Sequence, residues 1–151
     1  MNEPLQQRVL DYLATHQVMT LATVGEAGVW AAAVFYVSQQ FDLFFLSAPH
    51  TRHAQHMVAQ PHDAATNQED YKDRTTIKGI QLEGDVLLLD DDAREATIAI
   101  YQQKYPFLAQ ANPQITAALT KVNWYRLRPT TLYFIDNSLG LGHRDEVPLI
   151  S

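Results

Sequence analysis

The chain has 151 residues and a mass of 17.1 kDa, the length of one domain with a substantial buried core. Its hydrophobic fraction of 46% is that of a globular protein. Its formal net charge of -6 excludes a general nucleic-acid binder, because no basic stripe is available to neutralise a nucleic-acid phosphate backbone. It has no cysteine, which excludes disulfides, thiolate chemistry and cysteine-held zinc or iron–sulfur centres. No apolar run has the length of a membrane span and residues 1–17 do not resemble a signal peptide, so we expect one cytoplasmic domain over residues 1–151.

The first half of the chain alternates between helical and strand patterns. Apolar residues on one face predict a helix over residues 5–13, and Pro4 suits its start. A second helix, carrying Thr51, Arg52 and His53, is predicted to run to about Gln60 and to stop at Pro61, because proline cannot continue a helix. Three strands are predicted between these helices, over residues 18–24, 29–37 and 41–46.

The second half is predicted to return to strands around a helical region. Asp90 to Asp92 would cap a helix over residues 93–104, since acidic residues favour the positive end of the helix dipole. The further predicted elements are strands over residues 63–66, 75–89, 122–127, 131–135 and 141–147, and a short helix over residues 106–121. These elements predict a mainly β fold, a six- to seven-stranded antiparallel, Greek-key-like barrel with peripheral helices.

The segment from Ser47 to His56 has the pattern of an anion-binding turn. It follows an apolar strand and begins a helix, where free N–H groups and the helix dipole attract a negative charge. The hydroxyls of Ser47 and Thr51 can donate hydrogen bonds, and the planar guanidinium of Arg52 matches phosphate oxygens. The segment therefore predicts a site for a phosphate-bearing small molecule. A plain helix cap, with Arg52 in solvent, is the alternative.

Several strings of residues occur in the order and spacing of a known family. They are MTLATV (19–24) with GVW (28–30), LFFLS (43–47) with TRH (51–53), QP (60–61), KGIQLEG (78–84) and YFIDNSLGLGHR (133–144). In this order they resemble the pyridoxamine 5'-phosphate oxidase-like family of FMN-binding split barrels. The closing string is similar to an uncharacterised subgroup of that superfamily.

The resemblance implies a homodimer in which each flavin mononucleotide (FMN) lies in a groove between two subunits. It implies a flavoprotein, an FMN-dependent oxidoreductase of unidentified substrate, with the flavin phosphate at the anion-binding turn. The residues implied at the phosphate are Ser47, Thr51, Arg52 and His53. The residues implied along the flavin ring are Ala32, Ala33, Val34 and Phe35, with Gly79 and Gln81 approaching from the adjacent strand.

The chain departs from the family's pattern at several charged positions. The oxidase has an arginine and a lysine on its second strand, where this chain has Ala32 and Val37. A lysine that grips phosphate is replaced by His53. The arginine–histidine pair near the oxidase C-terminus has no counterpart, because Arg144 directly follows His143. We therefore do not expect this chain to oxidise pyridoxamine phosphate.

Four other residues have two interpretations each. Tyr101 and Lys104 lie in the helix with which the oxidase recognises its substrate phosphate, but an ordinary amphipathic helix explains them equally well. Trp30 and Trp124 are either core residues or groove residues that stack on a flat ring.

The functional alternatives are a protein without catalysis and an empty barrel. No acid–base pair stands out, so no catalytic residue is predicted. A non-catalytic flavin- or haem-binding protein, for example one associated with stress, is the first alternative, and haem would require an axial histidine such as His53 or His143. A cofactor-free dimer acting as an interaction module is the second. A metal site is not expected, because His50, His53 and His56 do not converge on a helix.

Overall fold

The structure, a computed structural model, describes residues 4–106 and 113–149. The strands in these residues are β1 (Val18–Gly25), β2 (Gly28–Phe35), β3 (Val37–Gln39), β4 (Asp42–Ser47), β5 (His62–Gln68), β6 (Lys78–Leu88), β7 (Asn123–Asp136) and β8 (Arg144–Glu146). The helices are α1 (Leu5–Thr15), α2 (Arg52–Ala59), α3 (Asp91–Lys104) and α4 (Pro113–Thr120). Within the described residues, no helix is both long and apolar enough to cross a membrane.

The strands form one curled antiparallel sheet in the order β2-β1-β5-β6-β7-β4-β3, with β8 paired to the end of β7. Side chains alternate between the two faces of each strand. The inner face holds the main core, in which Leu21, Phe45 and Leu132 are fully buried, and α1 and α2 pack against the same core. The predicted mainly β barrel with peripheral helices is confirmed.

A second apolar cluster lies on the outer face, between α3 and the strands β3, β4 and β7. Trp124 is almost fully buried there and meets Tyr101 edge-on, with 5.2 Å between the ring centroids. Trp124 is therefore a core residue and does not line a groove. Because β4 has this cluster on one face and the main core on the other, Leu43, Phe44 and Phe45 are all buried.

The strand predicted over residues 29–37 changes its partner at Tyr36. Up to Phe35 it pairs with β1, and from Val37 it pairs with β4. The Tyr36 N–H still donates to the carbonyl of Gln17 at 2.9 Å, at the end of the first ladder. Since β2 and β3 are the two ends of the sheet order, this one segment joins the two edges of the curled sheet. The partner change is one reason why the described residues contain eight strands and not the predicted six or seven.

The two strands predicted on either side of Pro129 are one continuous strand, β7. Pro129 lies opposite Gly84, where the register between β6 and β7 shifts. A Cβ atom at Gly84 would lie only 2.2 Å from the carbonyl oxygen of Arg128, so the two backbones approach each other more closely than any side chain allows. A proline is tolerated at such an irregularity because the regular ladder is already interrupted there.

The helix boundaries follow the predicted start and stop signals. Asp90 caps α3, because its Oδ1 accepts the N–H of Ala93 at 3.2 Å, which confirms the predicted acidic cap. Helix α2 ends before Pro61, as predicted. In the helix predicted over residues 106–121, residues 107–112 lie outside the described residues, and α4 forms much of the remainder.

Candidate functional site

The predicted anion-binding turn lies where β4 ends and α2 begins. Thr51 is the N-cap of α2: its Oγ1 accepts the N–H of Ala54 at 3.3 Å and donates to the carbonyl of Ala48 at 2.9 Å. The helix-cap interpretation of Thr51 is therefore confirmed. The next two N–H groups, those of Arg52 and His53, have no hydrogen-bond partner in the described part of the chain. They are free donors at the positive end of a helix.

A hydroxyl–imidazole pair lies beside this helix start. Ser47 is buried at the end of β4, and its Oγ lies 2.7 Å from the Nε2 of His53. The Oγ1 of Thr51 lies 3.5 Å from the same nitrogen. Burial, followed by the neighbouring His56, lowers the pKa of His53 below its ordinary value. The imidazole is therefore neutral at neutral pH, so it contributes hydrogen bonds and no charge.

Arg52 provides the positive charge at the helix start. Its guanidinium carbon lies 4.5 Å from the ring centroid of Trp30 on β2, which is a cation–π contact. Among the described residues, no carboxylate forms an ion pair with Arg52. Nothing in the spacing of positions 30 and 52 predicts this contact.

A buried histidine fixes α2 over β1 and β2. The Nδ1 of His56 lies 3.0 Å from the Oγ1 of Thr23 on β1. Gly25 makes room for the imidazole, because a Cβ atom at this position would lie 2.3 Å from the ring. Arg52 and His56 are four residues apart, so they share one face of the helix. Thr23 pairs with Trp30 across the two strands, so both contacts hold the same face of α2 against the sheet edge.

The donors at the start of α2 fit a phosphate group. Two free N–H groups, the Ser47 hydroxyl and the edge of the Arg52 guanidinium can all donate to anionic oxygens, whereas the Thr51 hydroxyl already donates to Ala48. Ser47 and His53 also have the spacing of a nucleophile and its base. In residues 4–106 and 113–149, however, no carboxylate bonds to the other nitrogen of His53 to orient it, so the arrangement is better described as an anion site.

The four β2 residues predicted along the flavin ring lie on two faces of the sheet. Ala32 and Val34 face inward on the same side as Trp30, whereas Ala33 and Phe35 face outward and are exposed. A single flat ring therefore cannot contact all four side chains. It can run along all four residues only beside the backbone of β2, which is an edge strand of the sheet.

Gly79 and Gln81 do not lie on the strand adjacent to β2, contrary to the prediction. They lie on β6, and both β1 and β5 separate β6 from β2. With neighbouring strands about 4.8 Å apart, this separation is roughly 14 Å. Gln81 instead accepts a hydrogen bond at 3.4 Å from Arg144, whose guanidinium lies 4.2 Å from the ring centroid of Tyr133. This Arg144 contact could not be predicted, because Gln81 and Arg144 are 63 positions apart and no local pattern relates them.

The outer face of β1, β2 and β5 is an exposed patch of small and apolar side chains, which we call the alanine face. Cross-strand pairing places Ala31 beside Ala22, and Ala22 beside Ala64. Val29, which is 79% exposed, and Phe35 lie near the two ends of β2 on the same face. A contiguous exposed patch of this kind is typical of a protein–protein or ligand interface.

The two α3 residues with open interpretations serve packing and helix capping. The Tyr101 ring is buried against Trp124. The Lys104 amine donates to the carbonyls of Leu13 and His16 at the C-terminal end of α1, where a cation offsets the helix dipole. The amphipathic-helix interpretation therefore accounts for both side chains.

The histidines considered as haem or metal ligands have other partners. His53 is hydrogen-bonded to Ser47, as described above. The Nε2 of His143 lies 2.9 Å from the Oδ2 of Asp145. Across the described ranges, no group of three or more histidine, aspartate or glutamate side chains is arranged to hold a metal ion.

Two solved structures resemble this chain in fold. The conserved hypothetical protein Rv2991 from Mycobacterium tuberculosis aligns over 95% of both chains with a TM-score of 0.76 and 18% identity. HutZ, a haem storage protein from Vibrio cholerae, aligns over 86% of this chain and 94% of its own with a TM-score of 0.66 and 19% identity. At these identities the likeness concerns the fold.

Sequence comparison identifies the family. The family model described as pyridoxamine 5'-phosphate oxidase matches residues 5–136. A UPF0306 protein from Yersinia pseudotuberculosis serotype O:3 (strain YPIII) is 31% identical over 147 residues, which cover 95% of this chain and 94% of that protein. With the curled antiparallel barrel already described, these two matches show that the chain belongs to the pyridoxamine 5'-phosphate oxidase family.

Proposed function

We propose that the protein binds FMN with the phosphate at the start of α2, and that it is an oxidoreductase of unidentified substrate. One observation supports this most strongly. The free N–H groups of Arg52 and His53 lie beside a guanidinium and the Ser47 hydroxyl, in a chain of this family. Such a set of donors without a carboxylate favours a phosphate monoester over a cationic or neutral ligand.

The phosphate affinity is proposed to depend mainly on one arginine. Ala32 and Val37 are uncharged, and the lowered pKa of His53 leaves its imidazole neutral at neutral pH. Arg52 is then the permanent cation of the site. Helix-terminal N–H groups and the helix dipole complement it, because they favour a negative charge without needing a titrating group.

We propose that a second copy of the chain covers the flavin ring. The alanine face is exposed and nearly free of charge, as expected of a surface that another subunit covers. A ring beside the β2 edge of one chain is about three strands away from Gly79 and Gln81 of that chain. These two residues would reach a ring only from the other copy, so the homodimer would complete each site.

Bound flavin would supply hydride and electron transfer. The residues of the chain would hold the phosphate, orient the ring along the β2 backbone and exclude water through the second copy. A flavin carrier without turnover would use the same site. It differs from an oxidoreductase only in that its bound flavin is not reduced and reoxidised by a substrate pair.

A haem site is the second candidate, and one observation favours it. The Nε2 of His143 is held by the Asp145 carboxylate, which is a common arrangement behind a metal-ligating histidine. HutZ of Vibrio cholerae, which shares the fold, is named as a haem storage protein. His53 is the weaker axial ligand of the two, because the partner of its Nε2 is the neutral Ser47 hydroxyl and not a carboxylate.

The test is an absorption and binding titration of the purified protein with FMN and, separately, with haem. Flavin bands that shift on binding and a dissociation constant weakened by Arg52→Ala support the proposal. We expect this variant to lose on the order of 2 kcal/mol of binding free energy, about 30-fold in affinity. Arg128→Ala is the control, because Arg128 pairs with Asp42 away from α2.

Three other outcomes are distinguishable. An FMN affinity that is unchanged in Arg52→Ala would show that the phosphate lies elsewhere. A Soret band that is present in the wild type and absent in His143→Ala would show that the cofactor is haem and not flavin. A colourless protein that takes up neither cofactor would favour an interaction module.

A further inference from the structure

We propose that Trp30 is a positioning residue that holds Arg52 in place for the flavin phosphate. The inference rests on the proposed function, and it concerns how this chain compensates for the absence of a basic residue on β2. The β2 residues on the inner side are Trp30, Ala32 and Val34, none of which is charged. The cation at this edge of the sheet therefore comes from α2, and Trp30 is the strand residue that it contacts.

The type of contact matters for anion binding. A guanidinium stacked on an aromatic ring is held by its planar face, so its N–H donors remain available around the edge. A carboxylate partner would hold the same group through those donors and would cancel its charge. Arg52 has no carboxylate partner among the described residues, so stacking on Trp30 orients it and leaves it able to bind phosphate.

The position of Trp30 follows from the way α2 is attached to the sheet. His56 bonds to Thr23, which fixes the buried face of α2 on β1. Trp30 is the cross-strand partner of Thr23 on the edge strand, and Arg52 lies one helical turn before His56. One buried hydrogen bond thus brings the indole and the guanidinium together. The stacking then restricts a long side chain that would otherwise sample many rotamers.

The experiment compares FMN with riboflavin, which has the same ring without the phosphate. The riboflavin dissociation constant divided by the FMN dissociation constant is a ratio that measures the phosphate contribution alone. We expect Arg52→Ala to lower this ratio on the order of 30-fold. Trp30→Leu should lower it about two- to five-fold, the value of an exposed cation–π contact, and Trp30→Tyr should restore most of the loss. In the Arg52→Ala background, Trp30→Leu should change the ratio no further.

A second measurement needs no flavin. In the ligand-free protein, Arg52→Ala should shift the indole emission of Trp30, because a cation leaves its ring face, while the buried Trp124 provides a constant background. Arg128→Ala should leave the emission unchanged. An Arg52→Ala spectrum identical to that of the wild type would overturn the inferred pairing.

Three results would contradict the inference, and each points to a different cause. If Arg52→Ala lowers the ratio and Trp30→Leu does not, the positioning role of Trp30 is wrong and the phosphate site stands. If Trp30→Leu weakens FMN and riboflavin equally, Trp30 contacts the ring, which also overturns the inference. If the ratio is the same in wild type and Arg52→Ala, both the inference and the proposed phosphate site are wrong.

Discussion

The Oγ1 of Thr23 and the Nδ1 of His56 lie 3.0 Å apart, and both side chains are buried where α2 packs on β1. This bond attaches the candidate site to the sheet. In Thr23→Val the shape is kept and the buried imidazole nitrogen loses its partner, which we expect to cost about 1–3 kcal/mol of unfolding free energy. Urea unfolding measures this loss. Thr20→Val, on the outer face of the same strand, is the control and should change stability by about 0.5 kcal/mol or less. Equal losses in the two variants would contradict the assignment.

The stability of the protein should depend on the charge of Asp63. Its side chain is only 4% exposed, and neither carboxylate oxygen has a hydrogen-bond partner in the described part of the chain. Burial raises the pKa of Asp63 from 3.8 to about 6. The folded state thus holds the proton more tightly than the unfolded state, so stability falls as the pH rises from about 4 to about 6 and stays lower above that range.

The variant Asp63→Asn removes this penalty. We expect it to be more stable than the wild type at pH 8 by up to about 3 kcal/mol, and to gain less at pH 4. Urea unfolding at the two pH values measures the difference. Asp70→Asn, in the exposed loop after β5, is the control for a change of net charge. An Asp63→Asn gain that is the same at both pH values would mean that the wild-type carboxyl does not titrate in this range.

The affinity for FMN should rise as the pH falls. Burial keeps the pKa of His53 low in the free protein, and a bound phosphate would favour its protonated form. Lowering the pH below the ordinary pKa of a histidine would therefore add a second cation to the site. Calorimetric titrations at several pH values measure this increase. The second phosphate ionisation, with a pKa of about 6, also titrates here, so His53→Gln serves as the reference. If the FMN affinity of His53→Gln depends on pH in the same way as that of the wild type, protonation of His53 does not contribute to binding.

Association of two copies should depend on the alanine face. Val29, at one end of that face, and Val58, on α2, have nearly equal exposure, 79% and 80%. Val29→Glu places a charge on the proposed interface and should convert the proposed dimer into a monomer with weaker FMN binding. Val58→Glu should leave both properties unchanged. Sedimentation velocity measures the change in mass, and a dimer that persists in Val29→Glu would place the interface elsewhere.

Much of the site's local structure could be predicted because it depends on residues close together in sequence. Ser47, Thr51 and His53 lie within seven positions, so a strand end followed by a helix start already brings them together. The contacts that attach this turn to the sheet could not be predicted. Thr23 and His56 are 33 positions apart, and Trp30 and Arg52 lie on different elements, so no local pattern relates them.

The order of the elements and their apolar faces can be read from the sequence, because both depend on residues one or two helical turns apart or on alternate residues of a strand. The sequence did not determine which strands become neighbours. Only the tertiary structure inserts β5 between β1 and β6, which moves Gly79 and Gln81 away from β2. The continuity of β7 across Pro129 and the change of strand partner at Tyr36 are likewise visible only in the folded chain. Strand order and register depend on the packing of the whole core, and that packing is not contained in any single segment.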